Sequence, residues 1–280
     1  MLAIAFGIGS SVCWGLSDFL GGVQSRSRPL LSVLFVSQAV GLAGIALFVA
    51  LFAGAAPPLG DLWPAAAGGA AGLVGLAAFY RALAIGTMSV VAPISATGAA
   101  VPVLVGVAGG DRPGALRVAG MVAALIGVVL ASRELGEGKD TPARARLSIV
   151  LALAAALGFG SFFVGLKEAA HASVPWALLA ARGVDVILLA PVAIALRESV
   201  RVARSVLPLL ALIGLLDLGA NGLFALATNR GLLSVVAVLA SLYPVVTVVL
   251  ARLTLGERIR RVQGAGVATV MVGVALIAAG

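Results

Sequence analysis

The chain is a succession of apolar stretches, each about as long as a helix needs to cross a bilayer, with short polar gaps between them. A helix crossing roughly 30 Å of hydrocarbon takes about 20 residues. Cutting at Pro, Gly and charge clusters gives ten such stretches: 2–22, 30–53, 63–85, 89–109, 115–132, 147–168, 175–196, 206–228, 232–252 and 262–279. Helices apolar on every side must be wrapped by protein or by lipid. With 61% hydrophobic and 11% charged residues, against about 45–50% and about 25% in soluble domains, the chain lacks the polar surface to wrap them in water. Its mean hydropathy is +1.17. The sequence therefore predicts an all-α integral membrane protein of ten transmembrane helices.

The formal charge of +8 does not argue for a nucleic-acid partner, because the 19 Lys and Arg lie mostly in the gaps, where membrane topology places them. One cysteine, Cys13, excludes an internal disulfide, and one histidine, His171, leaves no His/Cys zinc cluster. Neither a metal nor a cofactor is expected. The first stretch has no basic residues before it and contains Trp14 and Asp18 without an evident cleavage site, so it reads as a mature span and not as a signal peptide.

Residues 133–146 form the one linker-like loop, polar and punctuated by Gly and Pro. It divides the chain into 1–132 and 147–280, five spans each. A shift of 145 residues places Gly86, Ser89, Val90, Val91 and Ala92 on Gly231, Ser234, Val235, Val236 and Ala237. One inserted residue later, Gly110-Asp111-Arg112 falls on Gly256-Glu257-Arg258, and Gly120 and Gly127 fall on Gly266 and Gly273. The halves read as duplicates. An odd number of spans per half makes the second copy enter the membrane from the opposite side, the inverted-repeat arrangement of many secondary transporters. Loops on one face carry twelve Lys and Arg and loops on the other carry four, with Arg81, Arg182 and Arg252 within or at the ends of spans. The positive-inside rule then puts both termini outside.

An ionisable group near mid-bilayer costs about 2.5–3.5 kcal/mol on insertion scales and needs a partner or a wet cavity. Asp18, Arg182, Asp185 and Asp217 are such groups, and Arg81 lies nearer the end of its span. Arg182 is one turn from Asp185 on one face of its helix. Two readings stand: a structural ion pair, or a site in which Arg182 faces a cavity as an anion site and Asp217 or Asp185 takes a cation or proton. Asn221 follows Asp217 by one turn, giving a polar stripe suited to a site or to helix–helix contact. Asp18 and Arg81 lie near the same face, at the ends of the first and third spans, and two readings stand for them: a gate pair, or snorkelling of Arg81 to the interface. Trp14 and Ser17 share the polar stretch of Asp18, and Tyr243 precedes Pro244 in mid-span.

Pro93, Pro102 and Pro244 sit inside the fourth and ninth spans, the repeat-related pair. Each removes a backbone donor and frees a carbonyl, so both spans are expected to be interrupted. Ser95, Thr97 and Ser241 are placed to satisfy the freed groups or to bind a substrate. Interruptions at corresponding positions of two halves point to a transporter's binding site.

The sequence resembles the EamA-type members of the drug/metabolite transporter superfamily. The likeness rests on Phe79-Tyr80-Arg81-Ala82-Leu83, Ser89-Val90-Val91-Ala92 and Pro102 in the first half. In the second half it rests on Ser234-Val235-Val236-Ala237, Tyr243-Pro244-Val245, Leu255-Gly256-Glu257-Arg258 and the spacing of Gly266 and Gly273. Trp14-Gly15 and Phe159-Gly160 look like the aromatic-Gly pairs of the two first helices of the repeats. The resemblance implies a two-repeat carrier of small metabolites, such as amino acids or drugs, often directed outward, in the bacterial inner (plasma) membrane. It also implies cytoplasmic termini, opposite to the charge count. Asp111 stands where the family's turn usually has Glu, and Arg182, Asp185 and Asp217 match no family-wide motif.

The expected function is a secondary transporter moving an amino acid-like or drug-like metabolite outward by alternating access, with substrate and lipid as partners and protons as the candidate coupling ion. The expected substrate contacts are Trp14, Ser17, Ser95, Thr97, Arg182, Asp217, Asn221, Ser241 and Tyr243, with Asp18, Arg81 and Asp185 in coupling or gating. The alternatives are a non-transporting scaffold or sensor and an intramembrane aspartyl enzyme. Against the enzyme, Asp217 lacks a preceding Gly-x-Gly, and Arg182 beside Asp185 would spoil a proton-sharing dyad.

Overall fold

In a computed structural model, the structure describes residues 1–86, 88–131, 142–195, 202–255 and 261–279. Twelve α-helices run in chain order as α1 (Leu2–Ser27), α2 (Leu30–Phe52), α3 (Leu59–Ile85), α4 (Met88–Ala96), α5 (Ala100–Ala108), α6 (Ala115–Ala131), α7 (Pro142–Ala170), α8 (Val174–Ala195), α9 (Leu207–Thr228), α10 (Leu233–Ala240), α11 (Tyr243–Leu255) and α12 (Arg261–Ala279). No strand occurs among the described residues. Among the described residues, seven helical segments are long and apolar enough to cross a membrane, and three shorter apolar ones lie at 94–108, 115–127 and 264–273. The outer surface carries Leu47, Phe52, Leu104, Ile126, Leu157, Ile187, Leu215 and Met271, all exposed. Such a rim is stable only against lipid. The chain is an integral, multi-pass membrane protein.

Both expected interruptions are present. The fourth predicted span breaks between α4 and α5 at a single 3₁₀ turn, Thr97–Ala99, and the ninth breaks between α10 and α11 at Ser241 and Leu242. Under the 145-residue shift the first break, 97–99, maps to 242–244 and overlaps the second at Leu242. Pro244 opens the first turn of α11 and Pro102 that of α5, where a missing N–H leaves no intrahelical bond unmade.

Most of the predicted linker, 133–141, lies outside the described residues, as does the turn Gly256-Glu257-Arg258. The linker's last five residues are not loop, because α7 already begins at Pro142, where proline's fixed φ suits a first helical position.

Packing runs between the halves more than within them. α1 lies against α9, α3 against α7, α2 against α8 and α6 against α12. Exchanging the halves span for span maps this set of pairs onto itself, the pattern that a duplicated chain gives. The α3/α7 contact is a backbone-to-backbone approach: a Cβ on Gly158 would lie 2.7 Å from the Cα of Gly75, and one on Gly68 3.2 Å from the Cα of Gly165. Lipid supplies no hydrophobic drive between helices, so small residues that allow close packing carry such contacts. Hydroxyls tie α1 into the bundle. Ser10 Oγ donates to the Ala220 carbonyl (2.9 Å), Ser17 Oγ to that of Ile213 (3.1 Å), and Thr247 Oγ1 of α11 to that of Gly15 (3.2 Å).

Gly110, at φ +105°, lets the chain turn after α5. The following Asp111 then reaches across to the second half, where its Oδ2 accepts the backbone N–H of Ser234 at 3.0 Å, capping the first turn of α10.

Candidate functional site

Three charged side chains, Asp18, Arg182 and Asp185, are buried in the bundle, and helix packing brings them with the half-buried Asp217 to one cavity. Its volume is about 50 Å³, small against the about 300–1,000 Å³ of small-molecule sites, so the walls must part to admit a ligand. Trp14 and Asp18 of α1 line it, with Gly69, Gly72, Leu73 and Leu76 of α3, Phe159, Phe162 and Phe163 of α7, Arg182 and Asp185 of α8, Asp217 and Asn221 of α9 and Tyr243 of α11. Both halves contribute. Asp185 and Asp217 sit near the middle of their 22-residue helices, which is the depth of the membrane midplane if the helices cross it.

Arg182 is the node. Its Nη1 donates to Asp185 Oδ2 at 3.1 Å and to Gln38 Oε1 of α2, and its Nη2 donates to Asp217 Oδ2. The other oxygen of Asp217 accepts Trp14 Nε1–H at 3.0 Å. A planar guanidinium with fixed donors matches carboxylates on two helices as no ammonium can. Three neighbouring helices are thereby fastened at mid-depth.

The aromatic wall is equally organised. Trp14 stacks on Phe163 (centroids 5.2 Å apart), which stacks on Phe224 (4.7 Å), while Phe79 meets Phe159 and Tyr243 edge-on. Tyr243 turns its hydroxyl away to Ser95 at 2.6 Å, and Ser95 also donates to the Ala92 carbonyl. This bond joins the two interrupted spans.

The expected site residues thus divide. Trp14, Asp18, Arg182, Asp185, Asp217, Asn221 and Tyr243 come together on the cavity wall. Ser17 is buried outside it and serves the α1/α9 contact, and Ser95 stands behind Tyr243. Ser241 is buried without a hydrogen-bond partner for its hydroxyl and does not line the cavity. Thr97 is exposed, bonded to the Ile94 carbonyl, because the 3₁₀ turn swings it outward. The gate pair does not form: Asp18 is buried while Arg81 is exposed, and no ion pair joins them. The exposed Arg81 keeps its charged head outward. Arg182 as an open anion site is also not what the geometry gives, since its charge is paired with both Asp185 and Asp217.

Two contributors escaped the reading of the sequence. Gln38, buried to 2% exposure, is the one amide in the second span, and that polarity was its signal. Phe159, Phe162 and Phe163 recur at the i, i+3, i+4 spacing of one helical face, a signal that apolar runs ordinarily hide.

The profile of the EamA-like transporter family matches residues 1–133 and again 146–279. The chain belongs to the EamA-like transporter family. The family comprises transporters and not enzymes, and membership agrees with the resemblance carried by the two half-chain motifs. No curated protein matches the sequence. A crystal structure of a protein 19% identical to this chain superposes on it with a TM-score of 0.76, covering 98% of this chain and 95% of that one. At that identity the likeness establishes the EamA-like chain's fold and not its cargo.

Proposed function

We propose that the chain is a secondary transporter that moves a small metabolite outward across the membrane by alternating access. The observation that carries this reading is a cavity at mid-bundle whose wall is built from both halves and holds the buried charges found among the described residues. Supporting it are the two interrupted spans at corresponding positions and the exchange-symmetric helix pairs. In this reading the seven long and three shorter apolar segments make ten crossings, arranged as two inverted five-helix repeats, 1–132 and 147–280, joined by 133–146. Two repeats of opposite topology can swap conformations, which opens one central site to either side in turn.

Substrate sits between Trp14, Asp18, Asp217, Asn221 and Tyr243, with Arg182 holding Asp185 and Asp217 in place. Protons couple at Asp18 or Asp217. The test is uptake into sealed vesicles containing the protein, using labelled amino acids, nucleosides, sugars and lipophilic cations with and without an imposed pH gradient. Saturable uptake of one class above empty vesicles is expected, and its response to the gradient reads the coupling. No uptake of any class by protein shown to be folded would replace the carrier with a scaffold or sensor.

A further inference from the structure

Three carboxylates and one guanidinium line the cavity, and two of the carboxylates already hold the guanidinium. Arg182 donates to Asp185, Asp217 and Gln38, so the wall offers no free cation to an anionic group. Asp18 is buried to 5% exposure, lines the cavity, and has no ion pair or hydrogen bond among the described residues. Asp185 Oδ1 is buried without a partner as well. The site is thus short of positive charge, in surroundings where an uncompensated charge costs several kcal/mol.

We propose that the transported molecule is an organic cation, a protonated or quaternary amine on a flat apolar body, with Asp18 as its counterion. The proposal rests on the carrier reading and names its substrate class. The rest of the wall fits such a ligand. Trp14, Phe163 and Tyr243 line the cavity, and an ammonium beside aromatic rings is attracted by the ring quadrupole. A hard inorganic cation is a poorer fit, since it demands six or more oxygen ligands for calcium or near-octahedral oxygens for magnesium, and no cluster of three metal-binding side chains occurs among the described residues.

The test uses the purified full-length chain in detergent or nanodiscs. Binding of labelled tetraphenylphosphonium is measured, together with its displacement by four molecules that share a phenyl ring and short chain and differ in charge. These are phenethylamine (cation), phenylalanine (zwitterion), 3-phenylpropionate (anion) and 2-phenylethanol (neutral). Saturable phosphonium binding displaced best by phenethylamine is expected. Asp18→Asn should weaken it about tenfold or more, the order expected for losing one charge-assisted contact, and Asp18→Glu should retain it. Because Asp18 has no protein partner, Asp18→Asn should melt no lower than the parent chain, which separates lost binding from lost folding. Stronger displacement by the zwitterion or anion, unchanged affinity in Asp18→Asn, or no binding of any cation would overturn the proposal. The vesicle panel keeps the two readings apart: saturable uptake of a non-cation refutes the substrate class and leaves the carrier, while no uptake of anything refutes the carrier.

Discussion

A single arginine holds the centre of the molecule, and removing it would leave more than a missing contact. In Arg182→Ala, the buried Asp185 and half-buried Asp217 would be left with no cation, and Gln38 would lose its donor. Breaking a buried ion pair by deleting one partner costs about 3–5 kcal/mol, so a large drop in detergent melting temperature is expected. Replacing Asp185 and Asp217 by Asn in the same chain should recover much of the loss. Equal melting of parent, single and triple variants would show that these residues are not a coupled ion cluster. Arg182, Asp185 and Asp217 were legible in the sequence because a charge in an apolar run has few innocent explanations. What the sequence withheld was rotation about the helix axis. Asp18 and Arg81 were placed near the same face of the membrane, yet one lines the cavity and the other is exposed. Thr97 was lost for a related reason: successive residues turn by 100° only while a helix is regular, and the 3₁₀ turn at Thr97–Ala99 resets that phase.

Helices here meet where side chains are absent, which makes glycine positions informative at the scale of elements. A Cβ on Gly158 would press on the Cα of Gly75 at 2.7 Å, where no flexible side chain can yield. Gly158→Leu should therefore wedge α3 from α7 and cost at least the about 1–3 kcal/mol typical of overpacking, seen as a lower melting temperature and loss of monodisperse protein. Gly219→Ala on α9, with nothing within 4 Å of the added Cβ, should be neutral or stabilising, by up to about 1 kcal/mol from helix propensity. The cap on α10 makes a second case. Asp111→Ala removes the acceptor of the Ser234 N–H and should cost about 1 kcal/mol, whereas Asp111→Asn keeps an acceptor and should lose only part of that. Similar melting of both variants and the parent chain would deny the cap its role. Hydropathy located the helices well but not their ends: α1 runs to Ser27, beyond the predicted 22, and α7 starts at Pro142, before the predicted 147. Apolarity marks the hydrocarbon layer, while helices continue into the polar interface, where Arg26, Arg144 and Arg146 are at home. Partner choice between helices had left only an indirect trace, the glycines that allow close approach.

For the molecule as a whole, stability and function are expected to reside in the same surface. The principal pairs, α1/α9, α3/α7, α2/α8 and α6/α12, each join one half to the other, and the α10 cap also crosses between them. Neither half therefore holds a complete set of its own packing partners. Residues 1–132 and 147–280 expressed separately should each be degraded or aggregate, because their glycine-lined faces would meet lipid in place of a fitted helix. Co-expressed, the two should assemble without the peptide connection, since loop closure contributes an entropic term that varies only slowly with length. Co-purification of an untagged half with a tagged one, and recovery of an intact-chain-like melting transition, would be the positive result. The same preparation tests the site: Trp14 and Asp18 reside in the first half and Arg182, Asp185 and Asp217 in the second, so binding can appear only in the reassembled pair. A half that purified alone as a stable, folded unit would contradict the interlocked architecture, and with it the view that one central cavity is built by the packing of two repeats.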